Sequence, residues 1–185
     1  MIDYGELLSA AAERMSLVAR GDLPRLFMRH VRECVAPELI RELPSENEIL
    51  DVGSGGGLPG IPIAIIREDM QVALVESRAR KAAFLERARL QLNLRNVRVL
   101  AMTMEEIPRE YPDERWNVAV SRAIRWTPRM AGALEKVLTP TGAVIRFGST
   151  GGAGPGVRVN RIADSEDRAI QIWPRETWPN LSAAP

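Results

Sequence analysis

The residues from Asp51 to Gly60 read Asp-Val-Gly-Ser-Gly-Gly-Gly-Leu-Pro-Gly and follow the apolar pair Ile49-Leu50. Glycines let a backbone approach a ligand where a Cβ would intrude. An apolar strand before the loop, an acid at the strand end and a Pro-Gly helix start after it together mark the carboxyl edge of an α/β sheet, where ligands bind. The spacing Gly53-x-Gly55-x-Gly57 places one residue before the last glycine, whereas the dinucleotide fingerprint places two. A second acid, Glu76, closes the run Val72-Ala73-Leu74-Val75. A carboxylate there can accept from both hydroxyls of a ribose, at about 1.5–3 kcal/mol for each charge-assisted bond. Such an acid suits a nicotinamide cofactor equally well, so the choice of ligand rests on the glycine spacing.

Other chemistries find few residues. Cys34 and His30 are the only cysteine and histidine, which excludes a Cys/His zinc site and an internal disulfide, and no metal is expected. With a single cysteine, no 18-residue apolar run and no basic-then-apolar leader at Met1–Glu6, a cytoplasmic protein without a membrane span is expected. Net charge is +1, so the whole molecule is no strong polyanion binder, but the cations are nearly all arginine; Lys81 and Lys136 are the exceptions. A codon bias toward arginine accounts for much of this. Arginine's planar fork nevertheless suits phosphate and guanine edges. The stretch Arg78–Arg98 carries seven cations against one acid, Glu86, and reads either as a basic patch or as a solvated helix face.

The elements that would position these residues follow from periodicity. Helices are expected over 3–19 and over 23–34, the latter capped by Asp22 with Pro24 in its first turn. Strands over 48–52, 71–76, 96–101, 116–120 and 142–147 alternate with helices over 60–67, 78–92 and 128–138, which predicts a mostly parallel sheet with helices on both faces. A glycine-rich loop over 148–156, a hairpin of 157–162 with 168–173 and a loose tail from Pro174 complete the expectation. At 185 residues this is one domain: a helical N-terminal extension (1–45), an α/β core (46–173) and a tail (174–185).

The glycine loop is similar to the first motif of S-adenosylmethionine enzymes. With Leu74-Val-Glu-Ser77, Lys81, Phe84-Leu85, Ser121-Arg122-Ala123 and the upstream Arg29-His30-Val31, the chain resembles the glucose-inhibited division protein B family over roughly residues 15–147. The continuation Leu58-Pro-Gly-Ile-Pro62 separates that family from other methyltransferases. The resemblance implies a Rossmann-like class I methyltransferase that uses S-adenosylmethionine to methylate nitrogen seven of a guanine in small-subunit (16S) ribosomal RNA. The partner would be that RNA or the small subunit, with no DNA and no membrane, and the chain a monomer. Carried over by position, Gly53, Ser54, Gly55 and Gly57 line the methionine end of the cofactor, Glu76 and Ser77 meet the ribose, and Met104 and Glu105 flank the adenine. Asp51, Leu58 and Arg122 complete the cofactor set, and Arg122 also takes the catalytic position, holding the guanine or a nearby phosphate.

Nitrogen seven carries a lone pair and no proton, so no general base is required and catalysis reduces to positioning. Arg122, Arg125 and Arg129 would share a side if helical. Trp126 offers a stacking surface or a packing role, and His30 a cleft or core role. Three departures from the family stand out: Thr103 and Phe147 occupy positions where a cation is usual, and the chain after Gly148 is too short for a helix before the last two strands. A methyltransferase on another substrate, a non-catalytic cofactor- or RNA-binding homologue and a nicotinamide enzyme stay open as alternatives.

Overall fold

The computed structural model describes residues 1–15, 30–43, 48–149, 154–163 and 168–183. Its centre is a seven-stranded sheet of β1 (Glu48–Val52), β2 (Gln71–Val75), β3 (Val97–Leu100), β4 (Trp116–Arg122), β5 (Leu138–Ser149), β6 (Arg158–Arg161) and β7 (Arg168–Pro174), in the order β3-β2-β1-β4-β5-β7-β6. The first five strands run parallel; β7 is antiparallel to both β5 and β6. The strand order reverses beside β1, so the ends of β1 and β4 flank the crevice where such sheets bind ligands.

Both faces of each central strand are buried, as expected for a parallel sheet. Ile49, Val72, Leu74, Val118, Val120 and Ile145 point to one core. Their neighbours Leu50, Ala73, Val75, Ala119 and Val144 point to the other. Helix α1 (Ile2–Met15) and α2 (Pro37–Glu42) cover the first face through Tyr4, Leu8 and Leu39, together with α3 (Gly60–Ile66) and α4 (Ala79–Gln91). The second face is covered by the 3-10 turn Met104–Glu106, α5 (Ile107–Glu110) and α6 (Pro128–Val137). The expected second helix lies mostly outside the described residues, as do residues 16–19 of the first; residues 30–33 are helical.

Three features differ from, or add to, the expected elements. First, residues 104–110 form a 3-10 turn and a short helix that apolar periodicity did not reveal; a capping box between Thr103 and Glu106 starts them. Second, the chain from Pro174 is no loose tail. Arg175–Ala183 is a 3-10 segment with Trp178 and Leu181 fully buried against the second face, and Trp178 Nε1 donates to Trp173 O at 3.0 Å. The segment packs against α6, β5 and β7. Third, Arg122, Arg125 and Arg129 share no helix. Arg122 ends β4, Ala123 turns the chain at φ 53° and α6 begins only at Pro128.

Candidate cofactor cleft

The ends of β1, β2 and β4 enclose a cleft of about 550 Å³ lined by the glycine loop on one side and by residues 76–81 and 122–125 on the others. That volume is in the range of small-molecule sites, roughly 300–1,000 Å³. Gly53, Ser54, Gly55, Leu58, Glu76, Ser77 and Arg122 all line it, as does His30. Asp51, Gly57, Met104 and Glu105 do not.

The four residues off the wall have other places. Asp51 is fully buried and accepts from Gly60 N at 3.1 Å, so it ties the strand end to the start of α3. Burial pushes its carboxyl up to about 7, against the opposing pull of the Gly60 N–H. Its second oxygen, Oδ1, has no hydrogen-bond partner among the described residues, which leaves the charged form poorly solvated. Gly57, at φ 93°, has no room for a side chain: a Cβ would meet Ile61 Cδ1 at 2.5 Å. Met104 is packed in the second core and Glu105 is exposed.

The loop is held by side chains from two distant elements and by its own serine. Glu76 accepts from Gly55 N at 3.0 Å and from Arg78 N at 2.9 Å. A carboxylate has about four acceptor sites, so two remain for hydroxyls in the cleft. Ser54 Oγ donates to Asp51 O at 2.9 Å. On the far side, the buried Tyr4 hydroxyl donates to Gly56 O at 2.8 Å. Burial raises the Tyr4 pKa well above its usual value, which keeps the donor proton in place. Nothing in the sequence pointed to Tyr4, because the contact spans 52 positions.

Arg122 reaches the cleft wall, but its guanidinium is committed. One nitrogen lies 2.8 Å from Glu33 Oε2 and 2.5 Å from His30 Nδ1, and Phe147 packs over the group at 5.3 Å. Arginine only donates, so His30 Nδ1 must accept and the ring proton is assigned to Nε2. Arg168 also approaches Glu33, at 3.5 Å. Glu33 was missed in the sequence; its one signal is that it follows His30 by three residues in a helical stretch. Phe147, which stands where the resemblance expects a cation, supplies an aromatic face to Arg122. Trp126 is buried and donates to Ser121 Oγ at 3.2 Å, so it packs and offers no stacking surface.

Comparison with known proteins places this geometry. A crystal structure of a SAM-dependent methyltransferase from Aquifex aeolicus matches 85% of this chain and 98% of its own with a TM-score of 0.63 at 16% identity. The two share the sheet and its helical layers, the fold of class I methyltransferases. Among curated relatives, the ribosomal RNA small subunit methyltransferase G of Nocardioides sp. is 36% identical over 142 residues, 77% of this chain and 55% of that protein. The protein of the same name from Acidothermus cellulolyticus is 34% identical over 145 residues, 78% of this chain and 62% of the relative. The chain thus spans little more than half the length of these relatives. The family model described as GidB, rRNA small subunit methyltransferase G, matches residues 1–148, from the helix that supplies Tyr4 to the end of β5. The matched span holds the whole cleft and every residue that braces its glycine loop, and the chain belongs to this family.

Proposed function

We propose that the protein is an S-adenosylmethionine-dependent methyltransferase acting on nitrogen seven of a guanine in small-subunit ribosomal RNA. The observation that carries this reading is the cleft: an open glycine wall facing a buried carboxylate at the strand ends, in a chain of this family. The residues suit the cofactor. At Gly55 a Cβ would find nothing closer than Gly53 O at 3.8 Å, so this stretch of wall is kept bare toward the cleft and not filled by the protein itself. Glu76, with acceptor capacity left, would take the ribose hydroxyls, and Gly53 and Ser54 the methionine end. When bound, the cofactor supplies a methyl group activated by a sulfonium.

The chain's own task is to hold the base in line with that methyl, at roughly 3–3.5 Å. Nitrogen seven needs no deprotonation; among the described lining residues Glu76 accepts from two backbone N–H groups and His30 Nδ1 from Arg122. Arg122 acts here by positioning: it fixes the His30 ring and Glu33 at the wall and leaves contact with the substrate to other groups.

Calorimetry tests the cofactor assignment. S-adenosylmethionine and its demethylated product should bind the wild-type chain and NAD should not. Binding of NAD without the sulfonium would move the chain to the nicotinamide alternative.

A further inference from the structure

Among the described residues, several cations are held by carboxylates, while others, on and off the cleft, are not. Arg67, Arg89, Arg98, Arg109 and Arg158 each pair with a carboxylate: Asp69, Glu86, Glu114, Glu110 and Glu42. Inside the cleft Arg122 is likewise neutralised, by Glu33. Of the cations without such a partner, three stand on the cleft's lips. Arg78 and Lys81 stand on the lip formed by the start of α4, and Arg125 on the opposite lip, after β4. None of the three has a carboxylate partner among the described residues, and the first turns of α4 and α6 contain no acid. Among the described lining residues the one carboxylate, Glu76, is buried and accepts from two N–H groups. The mouth therefore presents net positive charge from both sides, although the molecule as a whole carries only +1.

From this we infer that Arg78, Lys81 and Arg125 form a two-sided phosphate clamp, which grips the RNA backbone on either side of the base that enters the cleft. The inference rests on the reading of the cleft as an RNA methyltransferase site. Phosphate contacts position a nucleic acid and carry no sequence information, so the clamp sets the register of the strand and the cleft selects the base. Cations already paired with carboxylates contribute little, because pairing with phosphate first requires breaking those contacts.

The test uses the full chain and small-subunit ribosomal RNA made by transcription. RNA affinity is followed against salt for wild type, for Arg78→Gln, Lys81→Gln and Arg125→Gln, and for the triple variant; Arg109→Gln and Arg158→Gln serve as controls. The plot of log affinity against log salt should become shallower by about one unit per lost clamp cation, and by two to three units in the triple variant. The controls should keep the wild-type slope, and calorimetric affinity of the triple variant for S-adenosylmethionine should stay within about twofold of wild type. An unchanged slope in the triple variant overturns the clamp. So does a parallel loss of cofactor affinity, which would place these cations on the cofactor carboxylate. Equal competition by polyglutamate at matched charge overturns it as well, since it would mean an acidic peptide fits the lips as well as RNA does. If wild type binds RNA with the predicted slopes yet transfers no methyl group, the clamp stands and the methyltransferase reading fails.

Discussion

The Arg122 guanidinium lies 2.8 Å from the Glu33 carboxylate, and the two side chains are only 7% and 8% exposed. A buried pair of this kind penalises removal of one partner far more than removal of both. Arg122→Ala should therefore lower unfolding stability by about 3 kcal/mol, toward the low end for such a change because Arg168 still approaches Glu33. Glu33→Ala should cost a similar amount and the double variant less than the sum, as denaturant titrations would show. Additive losses, or an Arg122→Ala protein as stable as wild type, would return Arg122 to a substrate-only role.

Asp51 predicts a pH dependence of stability. Its carboxyl is raised to about 7 in the fold by burial, against a reference value of 3.8. Between those values the native state holds a proton that the unfolded chain has released. Its contribution is thus fully present below about pH 4, declines as pH rises through 4–7 and is constant above 7. The decline is at most about 1.4 kcal/mol per pH unit. Asp51→Asn, which stays neutral and still accepts from Gly60 N, should flatten that part of the profile. An Asn variant with the same slope as wild type would locate the titration elsewhere.

Gly55 in the loop and Gly60 at the start of α3 should behave differently when given a methyl group. At Gly60 a Cβ would fall 2.3 Å from Leu74 Cδ2 and 2.6 Å from Asp51 Oδ2, so Gly60→Ala should destabilise the fold by several kcal/mol, with the clash adding to the lost loop geometry. At Gly55 the space is open, and the cost to the fold is the left-handed backbone at φ 57°, about 1–2 kcal/mol. Gly55→Ala should stay folded and lose cofactor affinity. Melting curves and calorimetry on both proteins would separate these outcomes; a Gly55→Ala variant with wild-type affinity would show that the ligand does not lie against the loop.

Tyr4→Phe removes only the hydroxyl that holds Gly56 O. The buried carbonyl loses its donor, at about 1–3 kcal/mol. Because the loop rather than the core depends on that bond, cofactor affinity should fall along with stability. Affinity unchanged at full occupancy would mean that Glu76 and Asp51 hold the loop without help from α1.

What the sequence made legible was what local pattern encodes. Alternating strand and helix segments, the glycine spacing and the strand-end acids Asp51 and Glu76 all concern residues close in the chain, and the first strand was bounded correctly at Glu48–Val52. What it hid depends on contacts between distant segments. Tyr4 with Gly56, and Glu33 with Arg122, join positions 52 and 89 apart, and no periodicity announces either. The docking of Arg175–Ala183 was hidden for the same reason: Trp178 and Leu181 follow no regular period, and only the apolar face between β5, β7 and α6 explains their burial. The carry-over of Met104 and Glu105 to the adenine drew on position in the family, and in this structure neither residue lies on the cleft wall.

Transfer of a labelled methyl group bears on the central claim most directly. Small ribosomal subunits and free small-subunit RNA lacking the modification would be incubated with the full chain and methyl-labelled S-adenosylmethionine, and the labelled nucleotide located by chain cleavage at 7-methylguanosine. The account predicts label at nitrogen seven of a single guanine, lost in a Gly55→Ala or Glu76→Ala protein that still folds. Label on another atom or another class of molecule, or none from a chain that binds the cofactor, would contradict it.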